Sequence, residues 1–515
     1  MEWVLAFKVC AICQLHVATL LVQSTSLRAT LDLELKVLLG RISHMSKPTI
    51  ILATSNGVGM GHLARASAVA LALKDVANPI IVSMAGGIAE IPSLLGIRCE
   101  YIPGRDRLWM SREKWDKYLR DRLLALVNET DAKVLSFDGV VPYPGIIATK
   151  NSYPALKLVW VRRGLWQKKP QRFILGLQAA MMDRIIEPGD MARTYDFGPT
   201  AKRKDAVLTS PVSLFQKKDA LSRDDARRAL GLELDRPAAL VQLGTGDSDV
   251  NHKMTAALEG LIGWKDLQVI LTKAPIDKDG KSLAPDGLDI KIVRYFPLAS
   301  VLHAFDAGIC ATGYNGVHEL LPAQIPTVFV SNIRGTDDQE ARARWCHDFG
   351  YALRADQSDL ADITATVKKL QDPIVRAQLS AKCVDLPDTT GGEEIATILF
   401  DLATQQKPAR AKTVTFMRLM VQDHINRGLR HVANLGLRRV ALVYRYLHPH
   451  IVVQVTKQEP PIFGDSIKPE ELREFIKSAN RFEHMIPGAS PVYRARREAI
   501  AKEAYGDLVE VRKTR

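Results

Sequence analysis

The stretch from Thr49 to Leu73 constrains this chain more than any other. An apolar, β-branched run (Thr49, Ile50, Ile51, Leu52) enters Ser55-Asn56-Gly57-Val58-Gly59-Met60-Gly61-His62 and continues into an alanine-rich segment ending at Leu73. The order reads strand, glycine loop, helix. Glycines at alternate positions let the backbone turn sharply and let a ligand approach it closely, while the first N–H groups of the following helix favour an anion. Asn56, Gly57, Gly59, Gly61 and Arg65 therefore form a candidate phosphate or acceptor loop, with His62 at its mouth. The competing reading is a plain tight turn between strand and helix.

Of two common nucleotide loops, one is disfavoured and one is excluded. A dinucleotide-binding loop would carry a third glycine where His62 stands and an acidic residue closing the second strand. That strand, Pro79 to Ser83, runs instead into Met84-Ala85-Gly86-Gly87. No GxxxxGK[ST] follows, which removes the P-loop.

Strand and helix patterns alternate from Thr49 to Phe197, with strands over Ile50–Ala53, Ile80–Met84 and Lys133–Phe137 and helices over Ala64–Lys74 and Ser111–Asn128. Alternation of this kind builds a parallel sheet covered by helices, with ligands beyond the carboxyl ends of the strands. Asp138 stands at one such end and is expected in the same cleft as His62; a turn or N-cap aspartate is the alternative. A second series begins near Arg236-Pro237, with strands over Ala238–Leu243, Gln268–Thr272, Ile290–Val293, Ala307–Ala311 and Thr327–Val330. Its first strand enters another glycine loop, Gly244-Thr245-Gly246. Its fourth enters Gly313-Tyr314-Asn315-Gly316-Val317-His318-Glu319, where helix amides suit a diphosphate and the carboxylate suits ribose hydroxyls.

Four segments are expected: an N-terminal extension of little structure over 1–44, a Rossmann-like acceptor domain over 45–210, a Rossmann-like donor domain over 211–405, and a basic helical region over 406–515. Met1 to Val22 is apolar but broken by Glu2, Lys8, Gln14 and His16, which suits neither a signal peptide nor a spanning helix. Six scattered cysteines make no disulfide framework and point to a reducing cytosol, and Cys10 and Cys13 have no second pair to complete a metal site. The net charge of +13 is concentrated late, since residues 401–515 carry 21 Lys+Arg against 12 Asp+Glu. Thr413 to Leu447 mixes arginines with apolar residues and could lie on a membrane, on its own catalytic body or on a partner.

The ordered set of Gly61-His62, Gly244-Thr245-Gly246, Gly313 to Glu319 and the cluster at Gln339 resembles the nucleotide-sugar glycosyltransferases of the GT-B fold. The likeness is to the family 28 group, which includes the bacterial N-acetylglucosaminyltransferase making lipid II and plant galactolipid synthases. It covers roughly Lys47 to Leu402. The resemblance implies two doubly wound domains facing a cleft, with Glu393–Gln405 crossing back to the first. It implies Phe296 beside the uracil, Glu319 on the ribose, Gly316 and Val317 at the diphosphate, and Gln339 and Glu340 on the sugar; Gly244, Thr245, Gly246, Gly313 and Asn315 complete the donor side. It further implies an inverting transfer without cofactor or metal, from a UDP-sugar carrying N-acetylglucosamine or a hexose. The acceptor would be lipid-linked or of the cell envelope, at the inner face of the membrane. His62 is the expected base, with Asp138 its rival.

Where the lipid II enzyme has two adjacent glutamines this chain has Gln339-Glu340, and its His62-Leu63-Ala64-Arg65 also resembles a related UDP-sugar hydrolase. Hydrolysis is thus the alternative enzyme reading. A basic nucleic-acid-binding protein is the alternative of another class, disfavoured because the charge lies in an appendage and no nucleic-acid-binding module is recognisable.

Overall fold

The computed structural model describes residues 47–55, 60–85, 89, 91–105, 112–167, 172–244, 248–272, 282–332, 336–405, 412–422 and 425. From Thr49 the chain builds β1 (Thr49–Thr54), α1 (Gly61–Leu73), β2 (Asn78–Ser83), β3 (Arg98–Tyr101), α2 (Arg112–Thr130), β4 (Val134–Asp138), α3 (Pro144–Ser152), β5 (Lys157–Val161), α4 (Arg172–Met181), β6 (Arg184–Glu187) and β7 (Val207–Leu208). These strands form one parallel sheet in the order β3-β2-β1-β4-β5-β6-β7. All six residues of β1 are buried, as a parallel strand covered on both faces requires.

The second half gives α5 (Arg223–Leu230), β8 (Ala238–Gln242), α6 (Ser248–Glu259), β9 (Gln268–Leu271), β10 (Asp289–Ile292), β11 (Ala307–Ala311), α7 (Tyr314–Leu320), β12 (Thr327–Val330), α8 (Gln339–Asp348), β13 (Leu353–Ala355), α9 (Leu360–Lys368), α10 (Pro373–Lys382) and α11 (Gly391–Thr404). Its parallel sheet runs β10-β9-β8-β11-β12-β13. Local chemistry sets the helix ends: the Ser222 hydroxyl accepts from the Asp225 amide at the start of α5, and Gly231 (φ 64°) stops it in the left-handed region.

In both sheets the chain winds outward from the first strand, then returns to that strand's other side. The reversal leaves a crevice between β1 and β4, and another between β8 and β11. The crossing helix expected over Glu393–Gln405 is α11, whose Ile395, Ala396, Leu399 and Leu402 join the same buried cluster as Leu63, Ala66 and Val69 of α1. A Cβ at Gly391 would stand 2.0 Å from the Ser210 carbonyl oxygen, so the crossing needs glycine there.

Residues 413–422 form helical turns on the first half. Leu419 is buried and Phe416 packs against the same cluster as Met181, Met182 and Ile185, while Lys412 donates to the Met182 carbonyl. Of the three locations open for this stretch, its start lies on its own catalytic body; the remainder of 406–515, like residues 1–44, lies outside the described residues apart from 425.

Candidate active site

The register of β1 and β4 places Thr54 opposite Asp138, so whatever follows β1 meets Asp138 at the crevice. His62, in the first turn of α1, is what meets it: Nδ1 lies 2.8 Å from Asp138 Oδ1. Arg65, one helical turn on, grips the same carboxylate with Nε at 2.9 Å from Oδ2 and Nη2 at 2.6 Å from Oδ1. Nη2 also lies 2.8 Å from His62 Nδ1. A carboxylate is a stronger acceptor than an imidazole nitrogen, and Nη2 already donates to Asp138, so we assign the Nδ1 proton to the His62–Asp138 bond. That tautomer leaves the Nε2 lone pair free, and Nε2 makes no hydrogen bond among the described residues.

The charges reinforce this division of labour. Burial opposes ionisation of Asp138, but the adjacent Arg65 and His62 hold its carboxyl down at about 2. Burial lowers the His62 pKa against the pull of Asp138, which keeps the imidazole neutral at physiological pH. Asp138 is thus held as a carboxylate between His62 and Arg65. Arg65 differs from expectation. It is 4% exposed and committed to Asp138, with its guanidinium 5.1 Å from the centre of the Tyr314 ring, so it braces the pair instead of presenting its charge to a phosphate.

Across the crevice stands the Gly313 turn. A Cβ on Gly313 would meet nothing within 4 Å, so a ligand has room to approach, whereas a Cβ on Gly316 would come 2.9 Å from Cys310 Sγ, and glycine there lets α7 close on β11. The Val317 amide donates to the Gly313 carbonyl at 3.3 Å and its side chain is in the core. This corrects the expectation for Val317: the amides left without helical partners are those of residues 314–316. Asn315 Nδ2 lies 3.5 Å from the Gly61 carbonyl oxygen, joining the two glycine turns, while its Oδ1 is buried without a partner. Glu319 is half-buried, and among the described residues no cation or hydrogen-bond donor meets its carboxyl, which burial pushes up to about 8.

The two halves are tied by a buried network whose pairings sequence reasoning did not find. Arg342 of α8 donates to Asp190 Oδ2 through Nε (3.1 Å) and Nη2 (2.9 Å), to Asp337 Oδ1 (3.2 Å) and to the Thr312 carbonyl (2.8 Å). His318 accepts from the Met191 amide at Nε2 and donates from Nδ1 to the Tyr314 carbonyl; burial drops its pKa to about 4. The Tyr314 hydroxyl donates to the Gly189 carbonyl at 2.7 Å and accepts from the Val212 amide at 2.9 Å. The spacing of Tyr314 and His318, one helical turn apart, was the available signal that both face one way.

Residues 255–394 match the glycosyltransferase family 28 C-terminal domain. The UDP-N-acetylglucosamine--N-acetylmuramyl-(pentapeptide) pyrophosphoryl-undecaprenol N-acetylglucosamine transferase of Rhodococcus opacus is 25% identical over 394 residues, covering 71% of this chain and 99% of that protein. This chain is a glycosyltransferase whose residues 255–394 carry the family 28 C-terminal domain. The enzyme of the same name from Paenarthrobacter aurescens is 33% identical over 147 residues, 28% of this chain and 39% of its own. The crystal structure of Acinetobacter baumannii MurG aligns at 16% identity and a TM-score of 0.46, covering 68% of this chain and 99% of that one.

Within this transferase Phe296 is half-buried just beyond the carboxyl end of β10, and Gly244 (φ 93°) turns the chain after β8. Gln339 and Glu340, the residues expected at the sugar, both have partners within the protein. Gln339 Oε1 accepts from the Asn332 amide and its Nε2 lies 3.3 Å from Asp337, both inside the protein; Glu340 accepts from Arg354 of β13 at 2.7 Å. Asn56, Gly57, Gly59, Thr245 and Gly246 lie outside the described residues.

Proposed function

We propose that this transferase moves a sugar, N-acetylglucosamine or a hexose, from a UDP donor to a lipid-linked acceptor, with inversion and without a metal ion. The observation that carries the reading is the hydrogen bond of His62 Nδ1 to Asp138, with Nε2 making no hydrogen bond among the described residues. The acceptor hydroxyl attacks the anomeric carbon as Nε2 takes its proton. The bond from that carbon to the β-phosphate oxygen breaks, and its electron pair leaves on UDP. A single displacement with one base inverts the anomeric centre. Among the described residues the amides of residues 314–316 have no helical partner, which supports binding of the diphosphate, and the Glu319 carboxyl has no donor, which supports binding of the ribose hydroxyls. The names of the Rhodococcus and Paenarthrobacter enzymes support UDP-N-acetylglucosamine as donor and a pyrophosphoryl-undecaprenol acceptor.

Incubation with UDP-N-acetylglucosamine, with and without an undecaprenyl-linked acceptor and with EDTA present, tests the reading. Sugar is expected to reach lipid only when acceptor is supplied, at a rate EDTA does not change. Free sugar released equally without acceptor would replace transfer with hydrolysis.

Glu319 carries its own test through pH. Ribose hydroxyls need the carboxylate as acceptor, yet the free group is protonated below about 8. Uridine affinity is therefore expected to rise about tenfold per pH unit below that value and to level off above it. In Glu319→Gln the rise disappears. Calorimetry giving a flat profile for the unaltered protein would remove Glu319 from the nucleoside site.

The acceptor reading calls for a membrane surface. Among the described residues no helix is long and apolar enough to cross a membrane. The turns over 413–422, however, bury Phe416 and Leu419 inward and leave Val414, Met417, Val421 and Arg418 exposed, with Ile425 exposed beyond them. An apolar stripe beside cations suits an anionic lipid interface. Vesicles of anionic lipid should bind Met417→Asp/Val421→Asp about tenfold more weakly than the unaltered chain. Equal co-sedimentation would exclude this face.

A further inference from the structure

Arg162 and Arg163 follow β5 beside Asp138, and extended backbone sends adjacent side chains opposite ways. Arg162 is fully buried against Asp205 and Glu187. Arg163 turns the other way, toward Asp337 of the second half, with Nη1 3.1 Å from Oδ1. The loop that carries it is fastened across the seam by two bonds, the Gln167 amide to the Thr336 carbonyl at 3.0 Å and the Asp338 amide to the Leu165 carbonyl at 2.9 Å, and is closed within itself by Trp166 Nε1 donating to the Arg163 carbonyl at 2.7 Å. Arg163 is thus held between the His62–Asp138 pair on one side and the start of α8 on the other.

Its bonding sets it apart from the neighbouring arginines. Arg65 spends Nε and Nη2 on Asp138, and Arg342 donates from all three of its nitrogens. Arg163 has five N–H donors, is only 13% exposed, and among the described residues makes the single ion pair to Asp337; its Nε is buried with no partner. Asp337 Oδ1 is at the same time shared with Arg342, so it satisfies Arg163 poorly. A desolvated guanidinium with open donors is suited to two oxygens of an incoming anion, which it can take without leaving Asp337. In the transfer described above, the anion that arrives at the seam and gains charge as the sugar departs is the donor diphosphate.

We propose that Arg163 contacts the donor diphosphate and carries charge that develops on the leaving phosphate as the glycosidic bond breaks. The proposal rests on the UDP-sugar reading, and comparing UDP with uridine separates the two. In calorimetry Arg163→Gln is expected to lose about 10- to 100-fold in affinity for UDP, while uridine, which lacks phosphate, binds within twofold of the unaltered protein. Transfer in Arg163→Gln should fall further than UDP affinity, because the contact strengthens in the transition state. A second readout does not depend on how well that variant folds. The Arg163 Nε–H resonance of the full chain, assigned by its loss in Arg163→Lys, should move on addition of UDP and stay in place with uridine. UDP affinity unchanged in Arg163→Gln, equal losses for uridine and UDP, or a resonance indifferent to UDP would each overturn the proposal. Failure of the unaltered protein to bind either ligand would overturn it together with the UDP-sugar reading.

Discussion

Replacing His62 with alanine is expected to slow transfer about 10²- to 10⁴-fold, with UDP affinity kept within a few-fold. On the proposed reading the imidazole takes a proton from the acceptor, and its Nδ1 is engaged by Asp138. Asp138→Asn should lose rate on a similar scale by another route: an amide does not hold the Nδ1–H tautomer as the carboxylate does, so Nε2 is no longer secured as the base. The pH profiles distinguish the two roles. Burial puts the His62 pKa below 6.5, so in the unaltered enzyme the acid limb of kcat/KM lies below that value. Asp138 is what pulls that pKa upward, and without it the limb should move to still lower pH even as the plateau falls. Near-normal turnover in His62→Ala, or an Asp138→Asn limb displaced toward alkaline pH, would take the base role from this pair.

Arg342→Met is expected to destabilise the folded chain by about 3–5 kcal/mol at pH 7.5. Arg342 is fully buried between Asp190 and Asp337, and its loss strands the Asp190 carboxylate and leaves Asp337 with Arg163 as its one remaining cation among the described residues. In the intact protein Arg163 and Arg342 hold the Asp337 carboxyl down at about 2, and Asp190 is lowered by the adjacent Arg342. Groups with depressed pKa values contribute stability above their unfolded value near 3.8 and lose it as the pH falls through the folded value. In the variant both carboxyls titrate higher, so its deficit should be large at pH 7.5 and shrink toward pH 4.5. Adding Asp190→Asn and Asp337→Asn should recover part of the loss at pH 7.5. Urea midpoints that match the unaltered protein at pH 7.5 would mean that this network does not fasten the two halves.

The site was partly legible because its backbone parts follow from local rules. Alternating apolar strands and helices with two glycine loops required parallel sheets, and in parallel sheets the ends of β1 and β4, or of β8 and β11, must be neighbours. Hence His62, Asp138 and Gly313 could be named from their positions along the chain. Which of His62 and Asp138 is the base could not, because that depends on Arg65, whose place four residues after Gly61 suggested a phosphate contact. The burial of its guanidinium against Asp138 decided otherwise.

Gln339 and Glu340 are adjacent in sequence, but their partners, Asn332 and Asp337 for one and Arg354 for the other, are fixed only by the fold. Arg163, Asp190 and Arg342 look like ordinary surface charges in a chain where a quarter of the residues are charged. Only the meeting of the two halves buries them together. The sequence by itself determined the two-sheet architecture and the strand ends where chemistry gathers, since periodicity and glycine placement act over a few residues. The tertiary structure alone decided which ionisable groups are paired and which are left with open valences. That choice depends on solvent exclusion and on partners more than a hundred residues apart, and no local pattern encodes either.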